Sequence, residues 1–270
     1  MLDTILPLSR NELKYVRSLA LKKVRDAEGV FVAEGPRMVE ALLGAVACRM
    51  LLVHNDLLEA DTAHYAELVQ TGSVHTLRSL STMQADQASS LRAPQGIVGI
   101  FEQPAHTLEA ALRWPEEGLC VALDGVQDPG NVGTILRTAA WMGIRGVVLS
   151  TTSADPFAPK TVQATMGALA HLPVLTTSLP EYLSALPATT PLVGTSLDGE
   201  NLYAATLPQR GIIVMGSEGR GLTVEVQQRL TQRLRIPTFP TNSPTAPESL
   251  NVATATAIVL GEMRRREGSR

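Results

Sequence analysis

The sequence predicts an α/β protein whose second half is built around a largely parallel sheet. Between residues 119 and 266, short apolar runs of strand length alternate with longer segments in which apolar residues recur every three or four positions. Strands and helices that alternate in this way form parallel sheets covered on both faces. The loops after two of these strands, and the loop before the last helix, are rich in glycine or polar residues. Open α/β sheets bind ligands at such loops.

Length and composition limit the class of protein. A chain of 270 residues corresponds to one large domain or two ordinary ones, and 44% hydrophobic with 18% charged residues excludes a disordered chain. The net charge is −3, so any contact with nucleic acid would use local basic patches. Cys48 and Cys120 lie in separate hydrophobic runs and are expected to be buried free thiols, as in a reducing cytoplasm.

No cluster of cysteine, histidine or acidic residues has the spacing of metal ligands, so we expect no metal site. The first residues lack the apolar core of a signal peptide, and no apolar run is long enough to cross a membrane. We therefore expect a soluble, cytoplasmic protein.

A basic helix is predicted near the start of the chain. Ser9 and Glu12 have the spacing of a capping box, and Leu13, Val16 and Ala20 would face inward. The outer face is expected to carry Arg10, Lys14, Arg17, Lys22, Lys23 and Arg25. This local excess of positive charge is either a solvated helix face or a patch that contacts phosphates.

Four strands and two more helices are predicted in the rest of the first hundred residues. The strands are expected at 30–32, 51–53, 74–77 and 97–101, and the helices at 37–43 and 60–69. We predict an N-terminal domain over residues 1–103, a linker over 104–116 with a short helical piece before Pro115, and a second domain over 117–270.

The second domain alternates cleanly between the two kinds of element. Strands are predicted at 120–123, 146–149, 192–195, 212–215 and 234–236. Helices are predicted at 132–142, 160–171, 180–186, 224–233 and 249–266.

The first polar loop, DGVQDPGNVG at residues 124–133, leads directly into a helix. Its glycines permit close backbone approach, and Asn131 is placed to cap the helix while offering its amide to a ligand. Arg137 lies less than two helical turns further on. It is either a surface helix residue or a cation that holds a phosphate or polarises a hydroxyl.

The second loop, VMGSEGRGL at residues 214–222, is a glycine-rich turn after a strand. Its spacing matches neither the dinucleotide fingerprint nor the P-loop, which argues against a nucleotide-dependent oxidoreductase or an NTPase. Glu218 is either a turn residue or a group that orients a polar atom beside a ligand.

The third loop ends at the C-terminal helix. Ser249 is the predicted N-cap, and Leu250, Ala253, Ala257 and Leu260 would form the apolar stripe of that helix. Helix capping is also an alternative to a functional role for Asn251. If the three loops lie at one edge of the sheet, they would build one pocket.

Three segments in this order resemble a known family. NVGTILRTAAWMGI, IVMGSEGRGL and the pair IP and ESLNVATATAIVLGE resemble, in order and spacing, the three motifs of the SpoU (TrmH-type) RNA methyltransferases of the SPOUT superfamily. KTVQATMGALAHLPV is also similar to the family, and FVAEGPRMVEALL and QGIVGIF are similar to its accessory substrate-binding domain. The resemblance thus covers nearly the whole chain.

The resemblance implies a fold and an activity. The C-terminal domain would contain a deep trefoil knot, the N-terminal domain would resemble ribosomal protein L30, and the protein would be a homodimer with its site near the subunit interface. The reaction would be methyl transfer from S-adenosylmethionine to a ribose 2′-hydroxyl of structured RNA. The additional N-terminal domain favours ribosomal over transfer RNA, and a non-catalytic RNA-binding protein with this fold is the other alternative.

The resemblance also implies the roles of particular residues. The polar active-site positions would be Asn131, Arg137, Glu218, Ser249 and Asn251. The cofactor would lie in the knot, held by the backbone of Gly216, Ile236 and Leu250, with Thr195 and Met215 nearby. The loop TFPTNSPTAPE, residues 238–248, is longer than is usual in the family and would reshape the rim of the cofactor pocket.

In this family the arginine, here Arg137, is favoured as the base that removes the hydroxyl proton. Neutralising an arginine side chain at pH 7 costs about 7–9 kcal/mol, at about 1.36 kcal/mol per pH unit. A charged Arg137 that stabilises the developing alkoxide is therefore the alternative.

Overall fold

The structure, a computed structural model, describes residues 5–239 and 249–268. The chain forms two compact units. The first comprises residues 1–104 together with 155–170, and the second comprises residues 105–154 and 171–270. The predicted long loop, residues 238–248, lies almost entirely outside the described residues.

The first unit is a four-stranded sheet with helices. The elements up to residue 104 are α1 (Arg10–Ser18), α2 (Lys22–Glu28), β1 (Val30–Glu34), α3 (Pro36–Leu42), β2 (Cys48–His54), α4 (Asn55–Ala60), α5 (Thr62–Gln70), β3 (Leu77–Leu80), α6 (Thr82–Ala88) and β4 (Ile97–Glu102). The strand order is β1-β4-β2-β3, with β4 antiparallel to both neighbours and β2 parallel to β3.

The second half of the chain supplies a six-stranded sheet. Its elements are α7 (Leu108–Glu117), β5 (Leu119–Asp124), α8 (Pro129–Trp141), β6 (Val147–Ser150), α9 (Pro159–Thr165), a 3₁₀ turn (Ala168–Ala170), β7 (Val174–Thr177), α10 (Leu179–Ala185), β8 (Leu192–Asn201), β9 (Gly211–Gly216), α11 (Val224–Gln227), β10 (Gln232–Arg235) and α12 (Val252–Glu267). Of these, α9 and the 3₁₀ turn belong to the first unit.

All neighbouring strands of this sheet are parallel, in the order β10-β8-β9-β5-β6-β7. The predicted parallel α/β sheet is therefore confirmed. β5 and β6 are buried throughout, as expected of apolar strands covered on both faces. After β5, the chain adds β6 and β7 on one side of this strand, and later adds β8, β9 and β10 on its other side. The direction in which strands are added therefore reverses between β5 and β9. Ligands of open α/β sheets bind at this switch point, outside the carboxyl ends of the strands.

Several predicted elements differ from the observed ones because tertiary packing overrides local pattern. The predicted strand at 74–77 is displaced to β3, and α6 and β7 were not predicted. The predicted helix at 224–233 is wrong after its first turn, because residues 232–235 form the edge strand β10. The helix expected to end before Pro115 continues to Glu117 and packs Ala111 and Trp114 into the core of the second unit.

The predicted basic helix is two separate helices, α1 and α2, and the break between them changes which residues are exposed. The capping box of Ser9 and Glu12 is confirmed, but α1 ends after Ser18, so that Leu19 is buried and Ala20 is exposed. The change of direction also buries Arg25, which was expected on the outer face and is only 2% exposed.

Arg25 joins the segment 155–170 to the rest of the first unit. Its guanidinium donates to the carbonyl oxygens of Leu19 and Ala20, each at 2.8 Å, and to Oδ2 of Asp155 at 2.5 Å. Nearby, the rings of Phe31 and Phe157 lie 5.4 Å apart. A segment that follows β6 in sequence thus completes the core of the first unit.

The C-terminal helix α12 is fixed by arginines near its end. Arg264 donates to the carbonyl oxygens of Met142 and Gly143, at 2.7 and 2.9 Å. Arg266 donates to the carbonyl oxygens of Ala205 and Leu202, at 2.5 and 2.9 Å. Hydrogen bonds from Arg265 and Arg266 lower the pKa of the Glu262 carboxyl to about 2. The bonds of Arg264 hold α12 against the end of α8, and those of Arg266 hold it against the segment after β8. In this way α12 positions the loop before it.

Both cysteines are buried and free, as predicted. Burial raises the pKa of each thiol to about 12, so neither is a reactive thiolate near neutral pH. Within residues 5–239 and 249–268, no helix is long and apolar enough to cross a membrane.

Replacing Asp155 by Ala is expected to destabilise the first unit by about 3–5 kcal/mol, because it leaves the buried Arg25 guanidinium without its counter-charge. The matched control is Asp26→Ala, which removes the exposed partner of Lys22 and should cost less than about 1 kcal/mol. Urea unfolding of both variants measures the difference. Equal losses would contradict a structural role for the Arg25–Asp155 pair.

Candidate active site

The candidate site lies at the carboxyl edge of the six-stranded sheet, at the switch point between β5 and β9. Asp124, the last residue of β5, is paired in register with Gly216, the last residue of β9. The loops after these two strands and the loop before α12 carry the polar residues that the sequence singled out.

Asn131 connects all three loops through its side-chain amide. Its Nδ2 donates to Oε1 of Glu218 at 2.5 Å, and its Oδ1 accepts from Nδ2 of Asn251 at 2.9 Å. The orientation of the amide follows from its partners, since an ionised carboxylate only accepts and must face the NH₂ group. Glu218 and Asn251 lie 87 and 120 residues further along the chain than Asn131, so these bonds hold three separate segments in one cluster.

The helix caps are not the residues that the sequence predicted. Asp128 caps α8 by accepting from the backbone N–H of Asn131 at 2.7 Å, so Asn131 lies inside the first turn with its side chain free for the cluster. α12 begins at Val252 and not at the predicted Ser249. Its cap is Asn251, whose Oδ1 accepts from the N–H groups of Ala253 and Thr254 at 3.0 and 3.2 Å.

Asn251 therefore has two functions at once. Its oxygen caps the last helix, and its NH₂ group binds Asn131. The helix starts later than predicted because the bond to Asn131 favours Asn251 over Ser249 as the cap, and Ser249 and Leu250 are left exposed at the end of the loop.

Sequence reasoning missed the groups that support the first loop. Asp124 is 4% exposed and its Oδ2 accepts from the N–H and the hydroxyl of Thr223, at 2.6 and 2.9 Å. Ser150 accepts from the N–H of Gly125, and Ser153 accepts from the N–H of Val126. The sequence did contain a sign of this role, because Asp124 is an acidic residue at the end of an otherwise apolar strand.

The turn after β9 is rigid. Ser217 and Gly221 exchange two backbone hydrogen bonds, at 3.1 and 2.9 Å, and Gly221 has a φ of 66°. A Cβ at Gly216 would collide with the backbone of Gly221, so the close turn requires glycine at this position. Glu218 thus projects from a fixed backbone towards Asn131.

A cleft of about 1080 Å³ opens beside this cluster. All five predicted cofactor-binding residues border it, namely Thr195, Met215, Gly216, Ile236 and Leu250, as do Glu218 and Ser249. Thr195 lies in β8, at the start of residues 195–199, which bulge out of the pairing with β10, since Gly194 is opposite Arg233 and Glu200 is opposite Leu234. The lining therefore combines apolar side chains with the backbone of this bulge and of the tight turn after β9.

Arg137 does not join the cluster. It lies six residues beyond Asn131 on α8, about 9 Å along the axis and about a third of a turn around it. Its side chain is exposed and, within the part of the chain that the structure describes, has no hydrogen-bond or ion-pair partner. Trp141, one turn further on the same face, is 87% exposed.

Comparisons with known proteins match the part of the chain that contains the three loops. Residues 118–261 match the SpoU rRNA Methylase family, and residues 10–99 match the MRM3-like substrate binding domain. The chain is 29% identical over 256 residues to a 23S rRNA (guanosine-2′-O)-methyltransferase of Bacillus subtilis, covering 94% of this chain and 96% of the relative.

Two solved structures have similar folds over nearly their whole length. One, from Porphyromonas gingivalis and described as an RNA methyltransferase of the TrmH family, is 41% identical, with 96% of this chain and 99% of that chain covered and a TM-score of 0.80. The other, an AdoMet-bound rRNA methyltransferase from Sinorhizobium meliloti, is 30% identical, with 97% of each chain covered and a TM-score of 0.80.

Replacing Asn251 by Ala is expected to destabilise the chain by about 1 kcal/mol, because α12 loses its cap. Asn251→Asp keeps a capping oxygen and should retain that stability, although it removes the NH₂ group that binds Asn131. Thermal unfolding measures both, with Ser249→Ala as the control that leaves the cap intact. A loss in Ser249→Ala equal to that in Asn251→Ala would mean that the helix begins at Ser249 after all.

Proposed function

Because the chain belongs to the SpoU rRNA methylase family, we propose that it transfers the methyl group of S-adenosylmethionine to a ribose 2′-hydroxyl of ribosomal RNA. The observation that carries the proposal is the meeting of three motif loops, through Asn131, at the edge of one large cleft. The relative from Bacillus subtilis is named for 23S rRNA, which favours ribosomal over transfer RNA as the substrate.

The residues around the cleft fit S-adenosylmethionine. Small-molecule sites have volumes of roughly 300–1,000 Å³ and combine apolar walls with a few fixed polar groups. Here the backbone of Gly216, Ile236 and Leu250 would hold the cofactor, with the side chains of Thr195 and Met215 beside it. When bound, the cofactor supplies an electrophilic methyl group on a positively charged sulfur.

The protein must then align the ribose hydroxyl and stabilise the charge that forms on its oxygen. We assign alignment to the cluster of Asn131, Glu218 and Asn251, with Ser249 at the rim of the cleft. We assign charge stabilisation to Arg137 in its charged form, because neutralising an arginine costs about 7–9 kcal/mol at pH 7. A free guanidinium has five N–H donors for an alkoxide and a neighbouring phosphate.

We also propose that the protein is a homodimer in which Arg137 acts across the subunit interface. Arg137 has no partner among the described residues of its own chain, and it is not part of the Asn131 cluster. Trp141 exposes most of a large aromatic side chain on the same helix face, and aromatic side chains are enriched at protein–protein interfaces. A second subunit placed there would bury Trp141.

The proposal has four further parts, and family membership supports the two that concern the domains. Residues 117–270 form the catalytic domain and contain a deep trefoil knot. Residues 1–103 form an RNA substrate-binding domain with a fold similar to ribosomal protein L30, joined by residues 104–116. The exposed Arg10, Lys14 and Arg17 on α1 would contact RNA phosphates. The two buried free thiols fit the reducing cytoplasm, which we propose as the compartment in which the protein acts.

Incubation with S-adenosylmethionine labelled in its methyl group and unmodified ribosomal RNA should yield a labelled 2′-O-methylnucleoside after nuclease digestion. Transfer RNA is tested in parallel, and label there alone would replace the proposed substrate. Binding of the cofactor by calorimetry without label in any RNA would identify a non-catalytic RNA-binding protein. Neither binding nor label would overturn the methyltransferase assignment.

Arg137→Ala is expected to abolish nearly all methyl transfer and Arg137→Lys to retain little, because lysine lacks the planar fork of donors. Cofactor binding by calorimetry should be unchanged in both. Arg113→Ala, at an exposed arginine on α7, is the matched control. Near-normal turnover of Arg137→Ala would remove this residue from the mechanism.

Mixing Arg137→Ala with Asn251→Ala, both expected to have reduced activity, tests the shared site. If Arg137 acts across the interface, each mixed dimer contains one site with both native residues, and part of the activity returns. No recovery after subunit exchange would place Arg137 and Asn251 of one chain in the same site.

A further inference from the structure

Three arginines border the cleft without any role in the cluster around Asn131. These cleft arginines are Arg220, Arg233 and Arg235. Arg233 and Arg235 lie on the edge strand β10, on either side of Leu234, which is 1% exposed. Because side chains alternate along a strand, the two guanidinium groups leave the same face, with their Cα atoms about 6.6 Å apart. Arg235 ends its strand, at the same carboxyl edge as the candidate site.

The cleft arginines have little counter-charge of their own. Arg220 and Arg235 are exposed and have no side-chain partner among residues 5–239 and 249–268. Arg233 lies 3.6 Å from Asp198, but both groups are open to solvent, and such a pair contributes little. Glu218, the other acidic residue at the border, is already bound to Asn131.

The charge is concentrated locally. The whole chain has a net charge of −3, yet residues 220–235 contain four arginines and a single acidic residue, Glu225. Arg220 also projects from a rigid turn, since its own N–H donates to Oγ of Ser217 at 3.3 Å. Because the backbone of this turn is already fixed, only the side chain of Arg220 has to be ordered when it binds an anion.

The cofactor does not account for this charge. S-adenosylmethionine has one carboxylate against an ammonium and a sulfonium, so it is a net cation and would be repelled by three guanidinium groups. A polyanion with regularly spaced phosphates fits them, because guanidinium groups bind phosphate in a bidentate manner.

We propose that the cleft arginines bind backbone phosphates of the RNA beside the target nucleotide. This inference rests on the proposed function and extends it, since it assigns an RNA-positioning surface to the catalytic unit itself. The arginines act on the position of the RNA and not on the reacting atoms.

The test compares the wild-type chain with the triple variant Arg220→Gln, Arg233→Gln and Arg235→Gln. Anisotropy of a fluorescein-labelled hairpin RNA gives the affinity over about 50–200 mM salt, the range in which phosphate contacts are most visible. Each lost contact should reduce the slope of log K against log salt by about 0.7–0.9, the values for single-stranded and double-stranded nucleic acid. Each should also weaken binding by about 5- to 8-fold at 0.1 M salt. Calorimetry should show unchanged affinity for S-adenosylmethionine.

Arg210→Gln is the matched control. Arg210 is equally exposed, but it precedes the amino end of β9, at the opposite edge of the sheet. Its removal should leave the slope as in the wild type, within the error of the measurement.

Three outcomes would overturn the inference. An unchanged salt slope in the triple variant would show that no phosphate is bound there. A loss of cofactor affinity with RNA binding intact would assign the arginines to the cofactor carboxylate. Stronger competition by polyglutamate than by unlabelled RNA would indicate an acidic protein partner. Failure of the proposed function is distinguishable, because it would appear as absent methyl transfer by the wild-type chain.

Discussion

The candidate site depends on one side chain that makes two hydrogen bonds. Asn131 donates to Glu218 and accepts from Asn251, and these bonds hold together three loops that come from distant parts of the chain. Local hydrogen bonds also fix each loop. Asp128 caps α8, two backbone bonds close the turn at 217–221, and Asn251 caps α12. The cluster is therefore preorganised by the fold, as a site that must align a weak nucleophile requires.

The sequence was sufficient to predict the fold class and the meeting of the three loops. Apolar strands alternating with helices define a parallel sheet, and polar loops at the carboxyl ends of its strands necessarily share an edge. It was not sufficient to predict which residue caps each helix, because Ser249 and Asn251 are both good caps and only tertiary contacts with Asn131 select the second. It also failed for Arg25, which is buried against the distant Asp155, and for the end of the helix expected at 224–233, where pairing with β8 makes residues 232–235 a strand.

The arginines of the chain serve two different physical purposes, and local sequence does not distinguish them. Arg25, Arg264 and Arg266 donate to backbone carbonyl oxygens and hold segments in place. Arg137, Arg220 and Arg235 are exposed and have no side-chain partner among the described residues, and all three lie on the catalytic unit. This contrast is the physical basis for assigning the second group to partners outside the chain.

The most direct test of the central claim is a double-mutant cycle between Asn131→Ala and Asn251→Ala, measured as kcat/KM for methyl transfer to unmodified ribosomal RNA. If Asn131 makes the three loops act as one unit, the double variant should be little worse than the more damaged single variant, with a coupling energy of about 1–3 kcal/mol. Additive losses within about 0.5 kcal/mol would show that the two residues act independently, and would contradict the account.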